Sequence, residues 1–199
     1  MKLDFGETTL RINISFAAAV TLTLIIDESG FCAAALFCCV VHELGHIICL
    51  LIFGEKPRLI ELSFYGIRLE RKNDCLKNTE NIAVYASGPL ANFVLSAAFF
   101  AASSTEIARN AAATSLCVGL FNMLPCVPLD GGNLLNLALL RFVDDEECRK
   151  ICLGISLVVL LPLMITGFLL LIKNGNVTLI AVSVYLTVMT FLDNRGRFF

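Results

Sequence analysis

Six apolar blocks punctuate the chain, at residues 12–26, 31–53, 82–103, 111–129, 151–172 and 177–192, and they carry almost no formal charge. Polar clusters separate them. Runs that approach the roughly 20 residues needed to cross a bilayer read as membrane helices. The first block is short and ends at Asp27-Glu28. Lys2 and Arg11 precede it, as in a signal peptide, but no small-x-small cleavage site stands before Asp27 and the next block starts at Phe31. An uncleaved helix, turning tightly into the second, is the better expectation.

Two stretches interrupt the helical pattern. Between blocks two and three, Leu59, Glu61 and Ser63, then Phe64-Tyr65-Gly66, then Ile67, Leu69 and Arg71, predict two short strands around a glycine turn. Between Asn122 and Gly132, the residues Pro125, Pro128, Gly131 and Gly132 break the fourth helix. Broken backbone at membrane depth must have its freed polar groups satisfied by protein or by a wet cavity. The expected fold class is an all-α polytopic membrane protein of about six transmembrane helices. A short membrane-associated β-hairpin is expected between helices two and three, and helix four is broken. The division expected is an N-terminal helix with an external turn (1–30), a membrane core (31–142), and two C-terminal helices with a short tail (143–199).

Composition strengthens this reading. The 199 residues are 57% hydrophobic and only 16% charged, with a mean hydropathy of +0.81. Soluble domains carry about 25% charged residues. A soluble enzyme, a secreted disulfide scaffold and a nucleic-acid-binding domain are all disfavoured, and no nucleic acid partner is expected. The net charge of −2 says little, but its distribution says more. If the N-terminus is cytoplasmic and six spans alternate, every Lys and Arg except Arg109 and Lys173 falls on the cytoplasmic side. Both termini are then cytoplasmic. The nine cysteines, odd in number and mostly within apolar blocks, read as small buried hydrophobes. Cys126 stands apart because it lies inside the broken segment.

Both of the chain's histidines lie in His42-Glu43-Leu44-Gly45-His46, in the middle of the second block. Four residues apart on a helix, the imidazoles share a face and can bind one zinc. Glu43 follows His42 directly, where its carboxylate can move a proton from water to a leaving amine. Burying two histidines and a glutamate in hydrocarbon is costly without a purpose. A polar helix–helix contact is the plain alternative. Catalytic zinc takes three protein ligands and keeps a fourth position open. Asp130, after the Pro125/Pro128 break and before Gly131-Gly132, is the expected third ligand, with Cys126 as its rival. Asn122 can donate to a scissile carbonyl or its oxyanion, or simply cap the broken helix.

These residues carry a resemblance. His42-Glu43-x-x-His46 in a membrane span, with Asn122-x-x-Pro125-x-x-Pro128-Leu129-Asp130-Gly131-Gly132 two spans later, resembles the site-2 protease family of intramembrane zinc metalloproteases. Gly88-Pro89-Leu90-Ala91-Asn92, taken as opening the third span, is also similar to that family. The resemblance implies one zinc per chain held by His42, His46 and Asp130, with Glu43 as catalytic base and Asn122 positioning substrate. It implies cleavage of membrane-associated protein substrates near the cytoplasmic face. The stretch 57–72 resembles the family's strand-bearing region, where an extended substrate can pair by strand addition.

Within the family, the span layout and the stretch 62–70 most resemble the sporulation factor IV B branch. That implies a pro-sigma factor as substrate and membrane regulatory proteins as partners. It also implies a place in the bacterial plasma membrane or the membranes between mother cell and forespore. The chain stops soon after its sixth block without the CBS domain common in that branch, so regulation through one is not expected. It also has no inserted PDZ-like domain, which disfavours the envelope-stress branch. A site-2 protease with a different substrate, a metal transporter and a non-catalytic membrane scaffold are the alternatives.

Overall fold

The computed structural model describes residues 2–5, 8–27, 30–63, 66–71, 76–102 and 105–194. Glu28, the Phe64-Tyr65 turn, Lys72, Cys75, Arg195 and Arg197 lie outside the described residues. The chain divides into two compact units, residues 1–119 and 120–199.

The first unit opens on strands. β1 (Lys2–Phe5) and β2 (Thr8–Ile12) pair antiparallel. β2 runs parallel to β3 (Pro57–Ser63), and β3 pairs antiparallel with β4 (Gly66–Arg71). The sheet order is β1-β2-β3-β4. An all-α fold carrying only a hairpin is thus corrected to helices plus a four-stranded sheet. The physical reason lies in β3: a lone hairpin leaves its outer row of N–H and C=O groups unpaired, and β2 takes that row over Leu59 to Leu62. Polar contacts fasten the pairing. Thr8 Oγ1 donates to the Pro57 carbonyl at 2.7 Å, and Arg11 and Glu61 approach to 3.8 Å. Asn13 Nδ2 donates to Glu61 Oε1 at 3.4 Å. Ile12, expected to open the first membrane helix, belongs to β2. The helix that follows, α1 (Ile14–Ile26), has 13 residues. It is about 20 Å long, short of the roughly 30 Å hydrocarbon core.

Helices α2 (Phe31–Ile52) and α3 (Asn78–Ala101) form the centre of this unit, with α4 (Glu106–Asn122) beside α3. Cys38, His42, His46 and Leu50 are the buried residues of α2, and their spacing of four draws one stripe down the helix. Val84, Gly88 and Asn92 draw a matching stripe on α3. Gly45 allows the close approach of the two helices: a Cβ there would lie 2.6 Å from the Ser87 carbonyl oxygen and 2.9 Å from Ala91 Cβ. Polar links tie α4 to α3. Ser115 Oγ donates to the Asn92 carbonyl at 2.9 Å, and Ser96 Oγ to the Ala112 carbonyl at 2.8 Å.

In the second unit, α4 ends at Asn122 and an irregular segment of residues 123–129 leads into α5 (Asp130–Leu139). The Val127-Pro128 peptide is cis. The segment folds back on α5 so closely that a Cβ on Gly132 would meet the Cys126 carbonyl carbon at 2.5 Å. Helices α6 (Asp145–Asn174) and α7 (Thr178–Asn194) pack together, with Gly167 against the backbone of Ile180. Cys126, Leu160 and Leu186 form the apolar core of this unit. Thr190 Oγ1 reaches the Val127 carbonyl at 2.7 Å and that of Leu186, one turn back on α7, at 2.8 Å. The hydroxyl thereby offers a donor to backbone that the break leaves without a helical one.

The molecule is inverted relative to a soluble protein. Large apolar side chains face outward, with Ile48 55% and Val158 73% exposed, while Asn92, Ser115, Ser156, Ser183 and Thr190 are buried. α2, α3 and α6 are long and apolar enough to cross a membrane, and α7 carries a shorter apolar stretch.

Candidate metal centre

His42 and His46 stand on consecutive turns of α2, facing α3, and both are buried. Their rings meet edge to face with centroids 4.8 Å apart. Their Nε2 atoms lie 3.2 Å from one another. On the far side of the His46 ring, Nδ1 is 2.7 Å from the Val84 carbonyl oxygen. A carbonyl only accepts, so His46 carries a proton on Nδ1 and presents a lone pair at Nε2. Ser87 Oγ donates to the same carbonyl at 2.6 Å, which holds the acceptor in place. Gly88 forms the wall behind both rings. A Cβ there would lie 2.3 Å from His46 Nε2 and 2.8 Å from His42 Nε2, so no other residue leaves the imidazoles where they are.

The pair fits zinc. Two nitrogens bound to tetrahedral zinc at 2.0–2.1 Å lie about 3.3 Å apart, close to the 3.2 Å observed. The Val84 carbonyl supplies the outer hydrogen bond that metal-ligating histidines characteristically make. Glu43, half-buried, follows His42 on α2.

The remaining expected residues belong to the second unit. Asn122 is the last residue of α4 and Asp130 the first of α5, at the two ends of the irregular segment. Both are partly buried. Cys126, the rival ligand, is fully buried among Leu160 and Leu186 in that unit's apolar core, a setting suited to a small hydrophobe. Gly88 to Asn92 sits in the middle of α3 rather than at its opening, because the helix begins a further ten residues upstream, at Asn78. There Glu80 Oε2 accepts from the Lys77 N–H at 2.8 Å and caps the start.

Sequence reasoning missed three groups that surround the histidines: the Val84 carbonyl, the bare face of Gly88, and the Asn92 side chain, whose Nδ2 lies 3.4 Å from His42 Nδ1. The four-residue spacing of Val84, Gly88 and Asn92 was a signal that one face of α3 served one purpose.

Comparison with known proteins bears on this arrangement. The model of peptidase family M50 matches residues 102–163, a range that takes in Asn122 and Asp130 but not the histidines. A zinc metalloprotease of Methanocaldococcus jannaschii is 24% identical over 155 residues, covering 73% of this chain. The chain spans 44% of that relative's length. The solved structure of a site-2 protease from the same organism superposes with a TM-score of 0.71 at 22% identity, covering 98% of this chain and 95% of the other, and so shares its fold. The chain is thus similar to peptidase family M50 over residues 102–163 and to a zinc metalloprotease over most of its length, and it shares the fold of a site-2 protease.

Proposed function

We propose that this chain is an intramembrane zinc endopeptidase that cleaves membrane-associated protein substrates near the cytoplasmic face. The observation that carries the reading is the buried pair His42 and His46, on an apolar helix, with Nε2 atoms 3.2 Å apart. A structural histidine pair has no need of that convergence or of the bare wall at Gly88. Asp130 supplies the third ligand. Two imidazole nitrogens and a carboxylate oxygen are a donor set that zinc accepts, with one position left for the reaction. When bound, zinc acidifies water and polarises a peptide carbonyl. The Glu43 carboxylate accepts the proton of the attacking water and returns it to the leaving amine. Asn122 donates through Nδ2 to the oxygen on which negative charge develops.

A helical substrate keeps its carbonyls in its own hydrogen bonds, so it must be extended before attack. The sheet is suited to that task. β2 and β4 occupy both edges of β3, so the strand that accepts a substrate is β4 or β1, each with one neighbour among the described residues. The pairing of β2 with β3 also favours one side of the membrane for the N-terminal segment and the stretch after α2. That is what two crossings by α1 and α2 require; six spans with both termini cytoplasmic is the proposal that the distribution of Lys and Arg supports.

The test uses purified wild type, Glu43→Gln and Asp130→Ala, with zinc measured by elemental analysis and cleavage assayed on a membrane-associated substrate. Expected are about one zinc in wild type and Glu43→Gln, cleavage reduced about 10²–10⁴-fold in Glu43→Gln, and loss of both zinc and cleavage in Asp130→Ala. Normal turnover by Glu43→Gln refutes the base, and unchanged zinc in Asp130→Ala refutes the ligand. For substrate, a pro-sigma factor of an endospore former is the narrower proposal, supported by the stretch 62–70. Cleavage of another membrane protein but not of pro-sigma factors would favour regulated membrane proteolysis outside sporulation.

A further inference from the structure

Asn92 is fully buried, and its side chain faces the ring nitrogen of His42 that points away from His46. Its backbone carbonyl accepts from Ser115 Oγ, and Ser115 is itself fully buried, so the side chain lies in the packed interior between α3 and its neighbours. What remains free is the exchange of its amide ends, because the two ends have almost the same shape and only hydrogen bonding tells them apart.

With Nδ2 toward His42, a single chain of hydrogen bonds runs in one direction. Asn92 Nδ2 donates to His42 Nδ1 at 3.4 Å, His42 Nε2 to His46 Nε2 at 3.2 Å, and His46 Nδ1 to the Val84 carbonyl at 2.7 Å. This arrangement puts a proton on His42 Nε2, the atom a metal must take. It also leaves Asn92 Oδ1, buried, without a hydrogen-bond partner among the described residues. Reversing the amide removes the conflict. Oδ1 then accepts from a proton on His42 Nδ1, and both Nε2 atoms present lone pairs. One proton leaves Nε2 and one is gained at Nδ1, so the charge of the ring does not change. Either orientation turns one amide end away from His42, so the two differ in which nitrogen of the ring is left for a metal.

We propose that Asn92 is a positioning residue for metal binding: its amide oxygen holds His42 in the Nδ1–H tautomer that opens Nε2 to zinc, as the Val84 carbonyl does for His46. This inference rests on the zinc reading of the two histidines. It assigns the outer hydrogen bond of each imidazole to α3, one through backbone and one through a side chain two turns further along.

The experiment measures zinc affinity by chelator competition for wild type, Asn92→Ala and Asn92→Asp. Asn92→Ala is expected to bind 10–100-fold more weakly, the usual loss when such an outer partner is removed. Asn92→Asp, which can only accept, is expected to bind at least as tightly as wild type. A residue that merely fills space would not be rescued by a buried carboxylate. Equal affinity in all three, or equal losses in both variants, overturns the proposal while the zinc reading stands. Wild type that binds no zinc overturns both. Should Asn92→Ala fail to fold, ¹⁵N-histidine labelling of wild type gives an independent answer, since the chain has only two histidines. In the zinc-free protein, both rings are expected in the Nδ1–H form, and an Nε2–H form of His42 overturns the assignment.

Discussion

At Gly88 the missing side chain matters because two imidazoles occupy the space where it would be. An added Cβ would meet His46 Nε2 at 2.3 Å, and the ring cannot yield without leaving the Val84 carbonyl. Gly88→Ala is therefore expected to drop zinc content well below one per chain and to cost about 1–3 kcal/mol through overpacking. Elemental analysis and a thermal melt check the two parts separately. The histidines themselves were legible in the chain, because a spacing of four on a helix is a local property. Gly88 and Asn92 were visible only as parts of a motif. Nothing local says that the face of α3 bearing them meets the face of α2 bearing the histidines.

For the helices and strands, the long apolar blocks translated well. The second, third and fifth blocks became α2, α3 and α6, the three helices fit to cross a membrane by length and composition. Proline and glycine correctly marked the break after Asn122, since proline lacks a backbone donor and hinders helix continuation. What holds the broken segment was not legible, because the donor comes from Thr190, 63 residues from Val127. Thr190→Val keeps the shape and removes that donor. The expected cost is about 1 kcal/mol, seen as a lower melting temperature in detergent, and an unchanged melt would mean that another group satisfies the carbonyl. The N-terminal strands were missed for a related reason. Thr8 to Ile12 is too short to declare itself, and it forms a strand because β3 offers an unpaired edge.

At the level of the whole chain, the outward apolar side chains of α2 and α6 and the buried hydroxyls and amide suit lipid better than water as the surrounding solvent. Three of the helices expected to cross fall short of a simple span: α1 with 13 residues, and α4 and α7 with 17 each. Mismatch of this kind is met by local thinning of the bilayer or by flanking polar residues reaching the interface. The proposed six-span arrangement is checked with reporter domains fused to each end. Cytoplasmic reporter activity is expected from both, and a signal from the far side of the membrane at either end would refute that arrangement.

The order and length of the apolar blocks, the shared face of His42 and His46 and the interruption after Asn122 all followed from residues close together in the chain. Helix periodicity and backbone donors are properties of a few consecutive residues, which is why those features could be read directly. The partner of β3, the carbonyl behind His46 and the amide beside His42 were decided by the tertiary structure. Each depends on which surfaces meet once apolar faces have packed, and residues 38 to 50 positions apart become neighbours through that packing alone.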